Sequence, residues 1–133
     1  MKKGEYALMV YNEKAAEKAE LLMRYKQELR NIAAEAGLDV DDSKIIQKIV
    51  CLILDIDTDE VIEVLTKKEI IKTLSLSEDV ADRVINLLQI YGYVQLPKII
   101  KNNNYIIKQN SKIIVTQKYI YMFFQTLGGW RLL

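Results

Sequence analysis

Twelve residues near the middle of the chain decide the fold: Thr66-Lys67-Lys68-Glu69-Ile70-Ile71-Lys72-Thr73-Leu74-Ser75-Leu76-Ser77. Thr66 and Glu69 have the spacing of a capping box, in which each side chain bonds a free backbone N–H at the start of a helix. The helix that follows is predicted to be short, with Ile70, Ile71 and Leu74 buried, because the next three residues turn the chain. The stretch therefore predicts two helices joined by a tight turn.

The second of these helices is predicted to run from Ser77, its N-cap, to Tyr91. Three acidic residues, Glu78, Asp79 and Asp82, lie near its start, where the helix dipole is positive. The apolar residues recur at helical spacing and are expected to form one buried face. They are Val80, Val84, Leu87, Leu88 and Tyr91.

Upstream, a long helix is predicted from an N-cap at Asn12 to Ala36, with Gly37 as its C-cap. Its apolar stripe is narrow and rich in alanine. Such a helix needs a close partner, which is either the domain behind it or a second copy of itself.

A further helix is predicted from Ser43 to about Ile56. The segment after it, Val61–Leu65, leaves two structures open. Its β-branched residues favour a strand, whereas Asp57 and Glu60, at capping-box spacing, favour a helical turn.

After Gly92, which ends the second helix of the pair, the pattern changes to short extended segments. The predicted strands are Tyr93–Leu96, Tyr105–Lys108 and Lys112–Val115, with turns at 101–104 and 110–111. Thr116 is predicted to cap a last, aromatic-rich helix from 117 to 127. We therefore predict a mainly α fold with a small β-hairpin. Its predicted parts are an N-terminal segment and helix over 1–37, a compact domain over 43–127 and a tail over 128–133.

The composition argues against catalysis. The chain has 133 residues, about the size of one domain, with no histidine and a single cysteine, Cys51. The commonest general base and transition-metal ligand is therefore missing. The five glycines are isolated or terminal, which excludes a glycine-rich phosphate loop. We predict a binding module with no catalytic residues, no cofactor and no metal site, and we expect Cys51 to be a small buried hydrophobe.

The sequence also lacks a predicted membrane segment. No apolar run approaches the roughly 20 residues that a membrane helix needs. The N-terminus begins with Lys2 and Lys3, as signal peptides do, but its apolar stretch is short and is followed by Glu13 and Lys14. We therefore expect a cytoplasmic protein that does not associate with membranes.

Charge is strongly segregated along the chain, although the net charge is only +1. All 18 acidic residues lie within the first 82 positions, together with 12 basic residues. The last 51 positions carry seven basic residues and no acid: Arg83, Lys98, Lys101, Lys108, Lys112, Lys118 and Arg131. Segregation of this kind suggests a basic face with an anionic partner.

Two short helices joined by a three-residue turn and followed by a hairpin are the parts of a helix-turn-helix with a wing. The stretch Thr66–Ser77 resembles the winged helix-turn-helix superfamily, in which a threonine-capped helix leads through Leu-Ser-Leu-Ser into the recognition helix. Val84–Val94 is similar to the end of that recognition helix, with a Leu-Leu pair and a glycine before the wing. Ile113–Lys118 is similar to the last wing strand. The resemblance covers roughly residues 43–127 and is specific to the superfamily, not to one family.

The resemblance implies binding of double-stranded DNA, usually by a dimeric transcriptional regulator. The helix from Ser77 to Tyr91 is then expected to enter the major groove. Arg83 and Asn86 have the geometry to read guanine and adenine, and Gln89 lies off the apolar stripe with them. Phosphate contacts are expected from lysines of the preceding helix and of the wing, with Asn103 at the wing tip. These lysines are Lys67, Lys68 and Lys72, and Lys98, Lys101 and Lys108.

Other residues favour a second use of the same fold, as a protein assembly module without direct DNA readout. The acidic residues Glu78, Asp79 and Asp82 lie in the first turns of the helix, where they would repel phosphates. Ile85 and Ile90 are predicted to be exposed, which suits a contact between proteins. Under both functions we expect a homodimer that forms through the N- and C-terminal helices.

Overall fold

The computed structural model describes the backbone of residues 3–97 and 107–129, and within them the side chains except those of residues 3–15, 43 and 127–129. Helices within these ranges are α1 (Lys3–Ala36), α2 (Ser43–Cys51), α3 (Lys67–Leu74), α4 (Glu78–Ile90) and α5 (Gln117–Gly129). The strands are β1 (Leu54–Asp55), β2 (Glu60–Val61), β3 (Val64–Thr66), β4 (Val94–Gln95) and β5 (Lys112–Val115). The predicted class, mainly α with a small antiparallel β component, is confirmed.

The helix–turn–helix at the centre of the chain forms as its caps predict. The Thr66 hydroxyl accepts the Glu69 N–H at 3.3 Å, and the Ser77 hydroxyl accepts the Val80 N–H at 3.4 Å. Between the two helices, Ser75 adopts a left-handed conformation with φ of 54°. After α4, Gly92 turns the chain with φ of 82°, a conformation that a residue with a Cβ adopts only at an energetic cost.

The first helix is longer than predicted, since α1 begins at Lys3 and not at Asn12. It ends at Ala36, before Gly37, as predicted. The second half of α1 packs against α2, α4 and α5 and enters the same core as they do. Its buried side chains are Tyr25, Leu29, Ile32, Ala33 and Ala36.

The helix predicted from Ser43 to Ile56 ends early, at Cys51. The Asp55 carboxylate accepts the Asp57 N–H at 3.0 Å and its carbonyl accepts the Asp59 N–H at 2.8 Å, which turns the chain into the β1–β2 hairpin. Ile56 therefore lies at the hairpin tip and is 86% exposed. Cys51 is exposed at the end of α2, so the prediction that it is buried was wrong.

The segment Val61–Leu65, for which a strand and a helical turn were both possible from sequence, contributes to two strands. Val61 ends β2, and Val64 and Leu65 belong to β3. β3 joins a three-stranded antiparallel sheet of order β3-β5-β4, with β5 in the centre. Opposite residues in this sheet include Val64 with Ile114 and Val94 with Val115. β4 and β5 lie within two of the predicted strands, Tyr93–Leu96 and Lys112–Val115, and β3 is an additional strand of this sheet. Of the third predicted strand, Tyr105–Lys108, residues 107 and 108 are in no strand and residues 105 and 106 lie outside the described residues.

The buried face of α4 differs from the predicted one. Its fully buried residues are Ala81, Val84, Ile85 and Leu88, whereas Val80, Leu87 and Tyr91 are only half-buried. The difference arises because α4 packs against α1 as well as α3. Together these two helices bury a part of the α4 surface that is wider than the predicted stripe and includes Ala81 and Ile85. Ile85, predicted to be exposed, is buried; Ile90 is 76% exposed, as predicted.

The last helix is anchored at its N-terminal end. α5 begins directly after Thr116, as predicted, but it extends to Gly129 and not only to residue 127. The Thr116 hydroxyl, predicted to cap this helix, donates to the carbonyls of Gly92 and Tyr93 at 2.6 and 2.8 Å. Tyr119 is buried, donates its hydroxyl proton to the Ile49 carbonyl and packs edge-on against the Tyr93 ring. These contacts join α5 to α2 and to the end of α4.

Candidate nucleic-acid interface

The side chain of Lys67 lies in the interior, 1% exposed, and not on the surface. Its Nζ lies 2.9 Å from Asp82 Oδ1 on α4 and donates to the Ile107 carbonyl at 2.8 Å. Asp82 Oδ1 in turn accepts the Ile107 N–H at 3.4 Å. Because all of its ammonium faces the protein, Lys67 is not available to bind a phosphate, and its predicted role is corrected to that of a structural ion pair.

A second set of contacts fixes the chain just after Ile107. Gln109 Nε2 donates to Glu78 Oε1 at 2.7 Å, and the Gln109 carbonyl accepts the Lys68 N–H at 3.2 Å. Residues 107–109 are therefore held against the first turns of α3 and α4. Two of the three acidic residues at the start of α4 take part in this junction, and the third, Asp79, is exposed.

A groove of about 650 Å³ runs along the outer face of α4. Three residues of α4 predicted to contact DNA, Arg83, Asn86 and Gln89, all line it. Glu35, Asp82, Leu87 and Ile90 complete the described lining. Asn86 is oriented by a bond from its Nδ2 to the Asp82 carbonyl at 2.8 Å. The groove thus combines hydrogen-bonding groups of α4 with one exposed apolar side chain, Ile90.

The end of α1 forms one border of this groove. An added Cβ on Gly37 would lie 3.8 Å from Arg83 Nη1, so the guanidinium lies beside the last turn of α1. Helix carbonyls at a C-terminus attract a positive charge. Arg83 remains exposed at this position.

Three predicted phosphate contacts, Lys68, Lys72 and Lys108, are exposed. Lys68 and Lys72 are four residues apart on α3 and so share one face of that helix. The backbone of Lys108 lies near that of Lys68, because the carbonyl of its neighbour Gln109 accepts the Lys68 N–H. The remaining predicted contacts, Lys98, Lys101 and Asn103, lie outside the described residues.

A polar network that the sequence does not indicate joins Glu28 of α1 to Tyr93 and to Lys118 of α5. The Tyr93 hydroxyl donates to Glu28 Oε2 at 2.5 Å, and Lys118 Nζ lies 3.1 Å from the same oxygen. Lys118 also donates to the Tyr91 carbonyl at 2.6 Å and lies over the Tyr93 ring. Burial, and then the bond to Glu28, raise the pKa of Tyr93 far above its usual range. Lys118 is one of the seven basic residues in the last 51 positions. Its ammonium is nevertheless bonded to partners within the domain.

Two aromatic side chains of α5, Tyr121 and Phe124, are 52% and 58% exposed. They are three residues apart and therefore neighbours on one helix face. Tyr121 lies close to Tyr25 of α1, and burial together with the neighbouring Tyr121 raises the pKa of Tyr25. This aromatic stripe, Tyr121 and Phe124, borders the line along which α5 meets α1.

No protein-family model, curated protein or solved structure matches the chain. Among the described residues, no group of three or more histidine, cysteine, aspartate or glutamate side chains is placed to hold a metal ion. None of the helices in the described ranges has the length and apolarity needed to cross a membrane.

Proposed function

We propose that residues 43–127 form a winged helix-turn-helix domain that binds double-stranded DNA, as a small dimeric transcriptional regulator. The observation that carries this proposal is the ion pair of Asp82 with Lys67, which compensates one of the three negative charges at the start of α4. Glu78 is exposed and its bond to the neutral Gln109 amide does not compensate its charge, and Asp79 is exposed as well. The repulsion that argued against DNA is therefore reduced at Asp82.

The order of the elements supports the same function. Along the chain, a helix (α2) and a strand (β3) precede the helix pair α3–α4, and two further strands follow. The last strand, β5, lies between the other two. This arrangement suits a recognition helix with a wing beside it, because residues 107–109, which follow the expected wing tip in sequence, are bonded to the first turns of α3 and α4.

The exposed groups have the chemistry that a duplex requires. Arg83, Asn86 and Gln89 offer hydrogen bonds to base edges from the groove along α4. Lys68 and Lys72 offer positive charge on one face of α3, and Lys108 is an exposed lysine near the start of the same helix. Such lysines position a protein on the phosphate backbone without reading sequence.

The second candidate function is protein assembly without DNA readout. It is favoured by Ile90, a large apolar side chain that is 76% exposed at the end of α4. Ile85, the other residue predicted to be exposed for such a contact, is buried and so does not favour assembly. We therefore rank assembly below DNA binding.

The test is binding to a labelled duplex of random sequence across a salt series. For wild type we expect affinity to fall steeply with salt, because each phosphate contact releases counterions. Lys72→Gln and Lys108→Gln should each reduce the slope of log affinity against log salt by about 0.9.

Lys48→Gln is the matched control, since Lys48 is an exposed lysine of α2 that is not among the proposed contacts. It should leave the slope unchanged. Weak binding of wild type at low salt, with no dependence on salt, would contradict the proposal and favour assembly.

A further inference from the structure

A line of exposed side chains runs along the face of α1 that points away from the domain. The opposite face of this helix holds its buried side chains, which are Tyr25, Leu29, Ile32, Ala33 and Ala36. The outer face carries six exposed residues, separated alternately by four and three positions. These residues, here called the outer stripe, are Ala16, Glu20, Met23, Gln27, Arg30 and Ala34. The outer stripe is about 27 Å long at 1.5 Å per residue.

The spacing of the outer stripe is that of a contact between two helices. Alternate steps of four and three residues keep side chains on one line of a helix, as at positions a and d of a coiled coil. Met23, near the centre, is a large apolar side chain that is 71% exposed. Within the described part of the chain, the six residues belong neither to the core nor to an ion pair. The outer stripe can therefore receive a second helix.

The two charges of the outer stripe are complementary to those of a second copy of the same helix. Glu20 and Arg30 lie five positions on either side of position 25. When two α1 helices run antiparallel and meet at this position, Glu20 of each helix lies opposite Arg30 of the other. The same register places Met23 opposite Gln27 and Ala16 opposite Ala34, so that all six residues have a partner.

Other alignments of the two helices do not bring these opposite charges together. In a parallel pair in register, Glu20 faces Glu20 and Arg30 faces Arg30, and like charges repel. An antiparallel pair shifted by seven residues no longer places Glu20 opposite Arg30. Charged and polar side chains at a helix contact select its orientation and register in this way. The outer stripe thus fits a second copy of itself in one arrangement.

We propose that two copies of the chain dimerise through the outer stripe of α1, antiparallel about a two-fold axis level with position 25. Each contact then occurs twice, and the assembly closes at two copies. The inference rests on the proposed function for the expectation of a dimer, but none of its contacts involves DNA. Arg83, Asn86 and Gln89 belong to α4 and take no part in it.

The first measurement is sedimentation equilibrium of the full chain over a concentration series. Wild type is expected to form a dimer. Glu20→Arg and Arg30→Glu each turn two attractive contacts per dimer into repulsive ones, so each should weaken dimerisation on the order of 10-fold or more. Glu63→Arg makes the same change of charge at an exposed glutamate outside α1 and should have no effect.

A mixture of the Glu20→Arg and Arg30→Glu chains tests the register. In a heterodimer of these two variants every repulsive contact becomes attractive again, so the mixture should dimerise as tightly as wild type. A fold damaged by either substitution would not recover on mixing. A wild-type monomer at all concentrations would overturn the inference, and so would a dimer that the two substitutions do not weaken or that the mixture does not restore.

The second measurement identifies the contact. In a Cys51→Ser background, chains carrying Met23→Cys are mixed with chains carrying Gln27→Cys and oxidised. The antiparallel register predicts a disulfide between the two kinds of chain. Disulfides formed only between identical chains would indicate a parallel pair, and the absence of any disulfide would indicate a different surface; both results contradict the inference.

Duplex binding by the same proteins separates this inference from the proposed function. If wild type binds no duplex and the mixed disulfide forms, the proposed function fails and the α1 dimer stands. If wild type binds duplex with a steep salt dependence and no mixed disulfide forms, the α1 dimer fails alone.

Discussion

Removing one charge of the Lys67–Asp82 pair is expected to cost the protein a large part of its stability. The side chain of Lys67 is 2% exposed and that of Asp82 is 15% exposed. Asp82→Leu leaves the Lys67 ammonium with the Ile107 carbonyl as its described partner. An uncompensated buried charge costs about 3–5 kcal/mol. A domain of this size has a total stability of about 7–20 kcal/mol, so the change removes a substantial share of it.

Lys67→Met should be the milder of the two changes. The Asp82 carboxylate keeps the Ile107 N–H as a donor and is partly open to water, so we expect a loss of about 2–3 kcal/mol. The double variant removes both charges. It should be more stable than either single variant, because a buried ion pair replaced by apolar side chains of similar size is often close to neutral.

The assay is urea unfolding followed by far-UV circular dichroism for wild type, both single variants and the double variant. The four free energies of unfolding form a double-mutant cycle, which isolates the coupling between the two side chains. Additive losses in the double variant would refute the pair as the source of stability. A larger loss for Lys67→Met than for Asp82→Leu would refute the argument from burial.

Three further results are expected. Ile85→Ser should destabilise the fold by about 3 kcal/mol or more, whereas Ile90→Ser should change stability by less than about 0.5 kcal/mol, because the first side chain is buried and the second is exposed; thermal unfolding measures both. Thr66→Ala should cost about 1 kcal/mol by removing the bond to the Glu69 N–H, and an equal stability of Thr66→Ala and wild type in urea would disprove this cap. Finally, the pKa of Tyr93 is raised on folding, so the folded state keeps its phenolic proton while the unfolded chain loses it above about pH 10. Stability should therefore fall as pH rises through that region, and Tyr93→Phe should flatten the decline by up to about 1.4 kcal/mol per pH unit; an unchanged alkaline slope in this variant would argue against the shift.

The helix–turn–helix could be predicted because its determinants are local. Thr66 and Ser77 each bond a backbone N–H three residues ahead, and Gly92 supplies the positive φ that ends α4. These interactions depend on neighbouring residues alone, so the sequence contains all the information that they need. The same holds for the end of α1 before Gly37.

The buried face of α4 could not be predicted in the same way. A 3.6-residue period fits the stripe through Val80, Val84 and Leu87 as well as the observed one, which includes Ala81 and Ile85. The choice between them is made by α1, whose packing on α4 brings together residues distant in sequence. The periodicity of apolar residues within α4 gives no information about its contact with α1.

The burial of Lys67 shows the same limit for the candidate site. A lysine in the first turn of a helix is normally exposed, and nothing beside Lys67 in the sequence indicates otherwise. Its partners are Asp82, 15 positions later, and Ile107, 40 positions later. By contrast, the helical period predicts that Arg83, Asn86 and Gln89 lie off the apolar stripe, and these three residues line one groove.

The anchoring of Ile107 has a consequence for how this protein can diverge. The chain is fixed on one side of residues 98–106 by β4, and on the other side by the bonds of Ile107 and Gln109 to α3 and α4. A change in the number of residues between these two points leaves both anchors in place. We therefore expect related chains to differ in length most between Pro97 and Ile107, while the helix pair stays the same.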